Sequence, residues 1–185
     1  NLHRQQYKAN QVGKYKTEAL AENLLEINPY IRLEPITTRL DEANCTELLS
    51  KADIVCEAFD VPEAKAMLTD IVLEKLPGCF LVAASGRAGM GSPNAIRTRK
   101  ITKRFYLCGD ETSEVSENNS LVAPRVMLCA AHQAQTALRI IAGNFLREGW
   151  PGADQTHVTP QHIPKLLQGL RAGYPAYLCY RQRRG

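Results

Sequence analysis

The chain has 185 residues, 44% of them apolar and 23% charged, with a formal net charge of +4; this is the balance of an ordinary globular protein and excludes disorder throughout. No stretch approaches the roughly 20 apolar residues of a bilayer-spanning helix, and Asn1-Leu2-His3-Arg4-Gln5-Gln6 has no apolar signal core, so no membrane is implicated and a cytosolic location is expected. The positive charge sits at one end: residues 147–185 hold six Lys and Arg against two acids, and the neutral remainder argues against a broad nucleic-acid surface. Six cysteines, Cys45, Cys56, Cys79, Cys108, Cys129 and Cys179, show no Cys-x-x-Cys spacing. They read as buried reduced thiols, and structural zinc is not expected.

Residues 1–10 are polar and aperiodic, and a start without methionine reads as the middle of a longer protein. From Gly13 to Asn28, Ala19, Leu20, Leu24 and Ile27 recur at helical spacing, and Asn28-Pro29 ends the helix. Ile31, Leu33 and Pro35 alternate with polar neighbours, which predicts a strand near a sheet edge because of the proline. A second helix is predicted over Asp41–Ala52, with Asp41 or Asn44 as its cap. The run Asp53-Ile54-Val55-Cys56-Glu57-Ala58-Phe59-Asp60 then reads as a buried parallel strand. Asp60, at its carboxyl end, has two readings. It is a metal or ribose ligand at the edge where open α/β sheets bind ligands, or it caps the helix that starts near Val61-Pro62-Glu63.

The periodicity of Ala64, Met67, Leu68, Ile71, Val72 and Leu76 predicts a third helix over Val61–Leu76, and Cys79–Ala84 predicts a second interior strand. This alternation is the signature of βαβ units. Ser85-Gly86-Arg87-Ala88-Gly89-Met90-Gly91 is glycine-rich but matches neither the dinucleotide nor the P-loop spacing, so it reads as a loop over the sheet edge. Two short strands, antiparallel to each other, are predicted in Ala95–Thr102 and Arg104–Cys108, and Glu111–Ser120 reads as a polar, mobile loop. The longest helix is predicted over Ala123–Leu146, with Pro124 in its first turn and small residues along it. Two regions follow: an α/β domain over 1–146 and a basic, poorly packed tail over 147–185.

Four pieces in order carry a resemblance. These are Asn1-Leu2-His3-Arg4-Gln5, then Gln11-Val12-Gly13-Lys14-Tyr15-Lys16 opening a helix that closes on Ile27-Asn28-Pro29, the strand ending Ala58-Phe59-Asp60, and Leu121-Val122-Ala123-Pro124-Arg125-Val126 running into a small-residue helix. Together they resemble the ThiF/MoeB group of adenylyltransferases, relatives of ubiquitin-activating enzymes, in the flavour of the thiamine-biosynthesis branch. The resemblance implies a Rossmann-like, mostly parallel sheet with flanking helices. It also implies ATP-dependent activation of the C-terminal glycine of a ubiquitin-fold sulfur-carrier protein as an acyl-adenylate, with a homodimer as the intact form. By that resemblance Arg4 and Lys16 contact ATP phosphates, Asp60 holds Mg2+, and Asn1 and Gln5 lie near the nucleotide.

The family's glycine-rich loop and ribose-gripping acid lie upstream of the Asn-x-x-Arg-Gln piece, so this chain is expected to lack the first two strands of the family fold and to bind ATP weakly or not at all by itself. Those strands belong between the Ile31 strand and the Asp53 strand. Either these two pair directly or the Ile31 segment is left without a neighbour. Two rival readings stand beside the first: half of a nicotinamide-dependent dehydrogenase, and a non-catalytic module that binds the carrier or forms the dimer.

Overall fold

The computed structural model describes residues 4–117 and 119–147, the last four of these as backbone only. Apart from Arg147, the expected basic tail lies outside the described residues, as does Asn1. The elements are α1 (Lys16–Ile27), α2 (Cys45–Leu49), β1 (Ile54–Cys56), α3 (Pro62–Lys75), β2 (Phe80–Ala84), β3 (Arg97–Lys100), β4 (Phe105–Gly109) and α4 (Ala123–Arg147). Among the described residues the four strands form one sheet in the order β1-β2-β4-β3. β1, β2 and β4 run parallel, with Val55 opposite Leu81 and Val82 opposite Tyr106, while β3 closes one edge antiparallel to β4.

The two-residue period of the strands sorts their side chains onto two faces. Val55, Leu81, Ala83, Phe105 and Leu107 point to one side, where α2 and α3 supply Cys45, Leu49, Leu68, Ile71 and Val72. Cys56, Val82, Ala84, Tyr106 and Cys108 point to the other, against Cys129 and Ile140 of α4. Both faces of β2 are therefore covered, which is why Phe80–Ala84 is apolar without alternation. Completely buried side chains such as Leu81, Val72 and Leu68 each stabilise the fold by about 1.5–3 kcal/mol relative to exposure. α4 is also sewn to the sheet by one polar side chain: Gln133 Nε2 donates to the carbonyls of Glu57 at 2.9 Å and Val82 at 3.1 Å.

The predicted strand at Ile31–Ile36 is not formed. Residues 31–40 run without a ladder, and β1 is the edge of the sheet on that side among the described residues. A strand exists only through a neighbour's hydrogen bonds, and Pro35 withholds one donor besides. Of the two expected outcomes, direct pairing with the Asp53 strand is thus the one set aside. The helix expected over Asp41–Ala52 shrinks to Cys45–Leu49, because Asp41 forms a turn first: its Oδ1 accepts from the N–H groups of Ala43 at 3.0 Å and Asn44 at 3.1 Å. The loop expected to be mobile after β4 is tied down, with the Asp110 carboxylate accepting from the Thr112 and Ser113 N–H groups and Asn119 Nδ2 donating to Glu114 O at 2.7 Å.

Candidate functional site

The parallel strands β1, β2 and β4 end on the same edge, and the segments 57–61, 85–92 and 110–122 leave from it. Asp60 is exposed there, one residue after the buried Phe59. The residue at the N-cap position of α3 is Val61, and Pro62 takes the first helical position, so Asp60 stands just ahead of the cap.

Lys16 is the first residue of α1, placed there by Gly13, whose φ of 93° turns the chain into the helix. The segment ahead of it is held against α1 by the buried Gln11, whose Nε2 donates to Ala19 O at 3.2 Å and Asn23 Oδ1 at 2.9 Å, and by Asn23 Nδ2 donating to Gln6 O at 2.8 Å. Arg4 therefore comes back toward the start of α1. Burial holds the half-buried Lys16 ammonium below its usual range, the Arg4 charge lowers it further, and Asp60 pulls the other way. Lys16 thus feels the charges of both Arg4 and Asp60, which are distant from it in sequence. Cations at a helix N-terminus are groups that a polyanion can engage.

Beside Arg4, the amide oxygen of Gln5 is buried and has no hydrogen-bond partner among the described residues. An orphaned acceptor of this kind suits the hydroxyl or amino groups of a nucleotide. Among the described residues no three His, Cys, Asp or Glu side chains cluster, so a divalent cation at Asp60 would draw its remaining oxygens from phosphate and water, as Mg2+ commonly does. The residues present fit ATP with Mg2+.

Around this edge lie groups that sequence reading passed over. Glu57 is 1% exposed and paired with Lys65 at 3.1 Å; a charge inside a run read as buried strand was the available signal, since such a charge requires a partner. Arg87 Nη2 donates to Phe59 O at 3.1 Å. The buried Arg125 pairs with Asp110 and donates from Nη1 to Gly91 O at 2.9 Å and Ser92 O at 3.1 Å, so the loops after β2 and β4 are locked to the start of α4. The glycine-rich loop packs against backbone: a Cβ on Gly86 would lie 2.3 Å from Glu111 N.

Comparison with known proteins adds to this geometry. The sequence profile of the ThiF family matches residues 1–166. The adenylyltransferase and sulfurtransferase UBA4 of Lodderomyces elongisporus is 25% identical over 156 residues, 81% of this chain and 34% of the relative. Its namesake in Aspergillus clavatus is 34% identical over 180 residues, 90% of this chain and 34% of the relative. The chain thus spans about a third of the length of the curated relatives it matches. Among solved structures, the tRNA N6-threonylcarbamoyladenosine dehydratase TcdA of E. coli in complex with ATP superposes with a TM-score of 0.70 at 19% identity, covering 80% of this chain and 73% of that one. The same enzyme with AMP gives 0.69. At these identities the likeness is one of fold.

Proposed function

Because this chain belongs to the ThiF family, we propose that it carries part of the ATP site of an adenylyltransferase that activates the C-terminal carboxylate of a ubiquitin-fold sulfur carrier. The observation behind this reading is the influence of both Arg4 and Asp60 on Lys16, with Asp60 at the carboxyl edge of a parallel sheet. In the proposed reaction a carboxylate oxygen of the carrier's terminal glycine attacks the α-phosphorus of ATP, an acyl-phosphate bond forms, and pyrophosphate leaves. Negative charge grows on the phosphate oxygens as this happens, and Arg4 and Lys16 offset it. Asp60 would hold Mg2+, which when bound neutralises phosphate charge and orients the leaving pyrophosphate. Gln5, with its orphaned oxygen, would orient the nucleoside.

Family membership favours this reading over the dehydrogenase one. The UBA4 relatives are named as adenylyltransferases and sulfurtransferases, which supports a sulfur carrier as partner. Thiamine biosynthesis is the finer proposal for the pathway and rests on the sequence resemblance; a homodimer likewise rests on it. A cytosolic location is likewise part of the proposal; among the described residues no helix is long and apolar enough to cross a membrane. The test is carrier-dependent exchange of labelled pyrophosphate into ATP by the full-length protein. Exchange that Asp60→Ala abolishes while the folded circular dichroism spectrum persists is the expected result; normal turnover in that variant contradicts the role of Asp60, and carrier binding without exchange in the unmutated protein would favour the non-catalytic module.

A further inference from the structure

Asp60 stands on a peptide whose backbone groups are gripped by side chains. The N–H of the buried Phe59 donates to Glu57 Oε1, and its carbonyl accepts from Arg87 Nη2 at 3.1 Å. Phe59 lies beyond the end of β1. Glu57 is itself fixed from several directions. Its Oε2 accepts from Lys65 Nζ of α3 at 3.1 Å and from Ala84 N of β2 at 3.3 Å, and its carbonyl accepts from Gln133 of α4 at 2.9 Å. Lys65 Nζ also donates to Ala84 O at 2.5 Å.

The carbonyl carbon of Phe59 and the nitrogen and Cα of Asp60 share one planar peptide unit. The Arg87 bond to Phe59 O therefore sets the plane from which the Asp60 side chain hangs, and the Glu57 bond sets the residue before it. A buried acid and its lysine are an expensive way to satisfy the N–H groups of Phe59 and Ala84, since neutral acceptors would serve. The arrangement makes better sense as a rigid mount for the residue that follows.

We infer that Glu57 and Arg87 are positioning residues for Asp60, holding the Phe59–Asp60 peptide so that the carboxylate meets a divalent cation on bound ATP. The inference rests on the proposed role of Asp60. It predicts that loosening the mount weakens metal binding without removing a ligand.

The experiment follows Mn2+, standing in for Mg2+, by the electron paramagnetic resonance signal of the free ion, in the full-length protein with α,β-methylene-ATP present. Arg87 is half-buried and its truncation leaves the core intact, so Arg87→Ala is the main variant, with Arg87→Lys and Glu57→Gln beside it. Arg87→Ala is expected to weaken Mn2+ about tenfold, the lower range for a residue that orients a ligand. Peptide-level hydrogen exchange over residues 57–61 should quicken, Arg87→Lys should recover part of the affinity, and Glu57→Gln, which keeps an acceptor for Phe59 N–H, should fall between. Unchanged Mn2+ affinity in Arg87→Ala, with Asp60→Ala losing the ion, overturns the positioning role and leaves the Asp60 reading standing. Full Mn2+ affinity in Asp60→Ala overturns both.

Discussion

Lys16 and Asp110 each stand in surroundings that shift their protonation. Burial and the Arg4 charge lower the pKa of Lys16. A bound polyphosphate would raise it again, so at a pH between the free and bound values ATP binding takes up a proton. Binding heats measured in buffers of different ionisation enthalpy should show that uptake; proton release, or no buffer dependence, contradicts the proposed contact. For Asp110, burial pushes the carboxyl upward, but hydrogen bonds from the Ser113 and Thr112 N–H groups, the Ser113 hydroxyl and Arg125 outweigh it and hold it at about 2. The charged form is favoured in the folded state. Its stabilisation is therefore complete above the ordinary carboxylate range and disappears as pH falls through about 2, a loss on the order of 2 kcal/mol. Urea unfolding of the unmutated chain should weaken over that interval and that of Asp110→Asn should not. Arg125→Ala removes the ion partner of Asp110 together with the bonds to Gly91 O and Ser92 O and is expected to destabilise by about 3 kcal/mol.

At the scale of elements, the sequence pattern was most legible where one chain segment carries its own signal. The parallel strands β1 and β2 were read from continuous apolar runs, although β1 is an edge among the described residues, and the helices over 16–27, 62–75 and 123–147 and the antiparallel pair β3 and β4 were read from periodicity. The segment after Tyr30 was misread because alternation records which side chains are wet, while a strand also requires a neighbour, and that is a property of the whole sheet. Helix α2 was overextended because the Asp41 turn competes with it. Gly109 shows a constraint of another kind. Its φ is 139° and a Cβ there would lie 1.6 Å from Ser85 O, so the loop after β4 crosses the end of β2 at backbone distance. Gly109→Ala is expected to lower stability by about 3 kcal/mol or more, read as a drop in thermal midpoint, because both the dihedral and the contact must give. A midpoint unchanged from the unmutated chain would mean that these loops separate readily.

For the molecule as a whole, the sheet arranges two cores and one functional edge. α2 and α3 close one face, α4 closes the other, and the loops gather where β1, β2 and β4 end. The proposed site residues Arg4, Lys16 and Asp60 were legible through a resemblance, since as isolated charges they carry no mark that distinguishes them from solvated surface. Glu57 and Arg87 were not, because their importance lies in what they grip after folding. The central claim is that Arg4 and Lys16 share one phosphate-binding function with Asp60. Calorimetric titration of the full-length protein with Mg·ATP, and with adenosine as the control, tests it most directly. The account predicts that Arg4→Ala and Lys16→Ala each weaken ATP about tenfold, the loss of one charge-assisted hydrogen bond, with adenosine affinity unchanged. ATP bound as tightly by both variants as by the unmutated protein would contradict it.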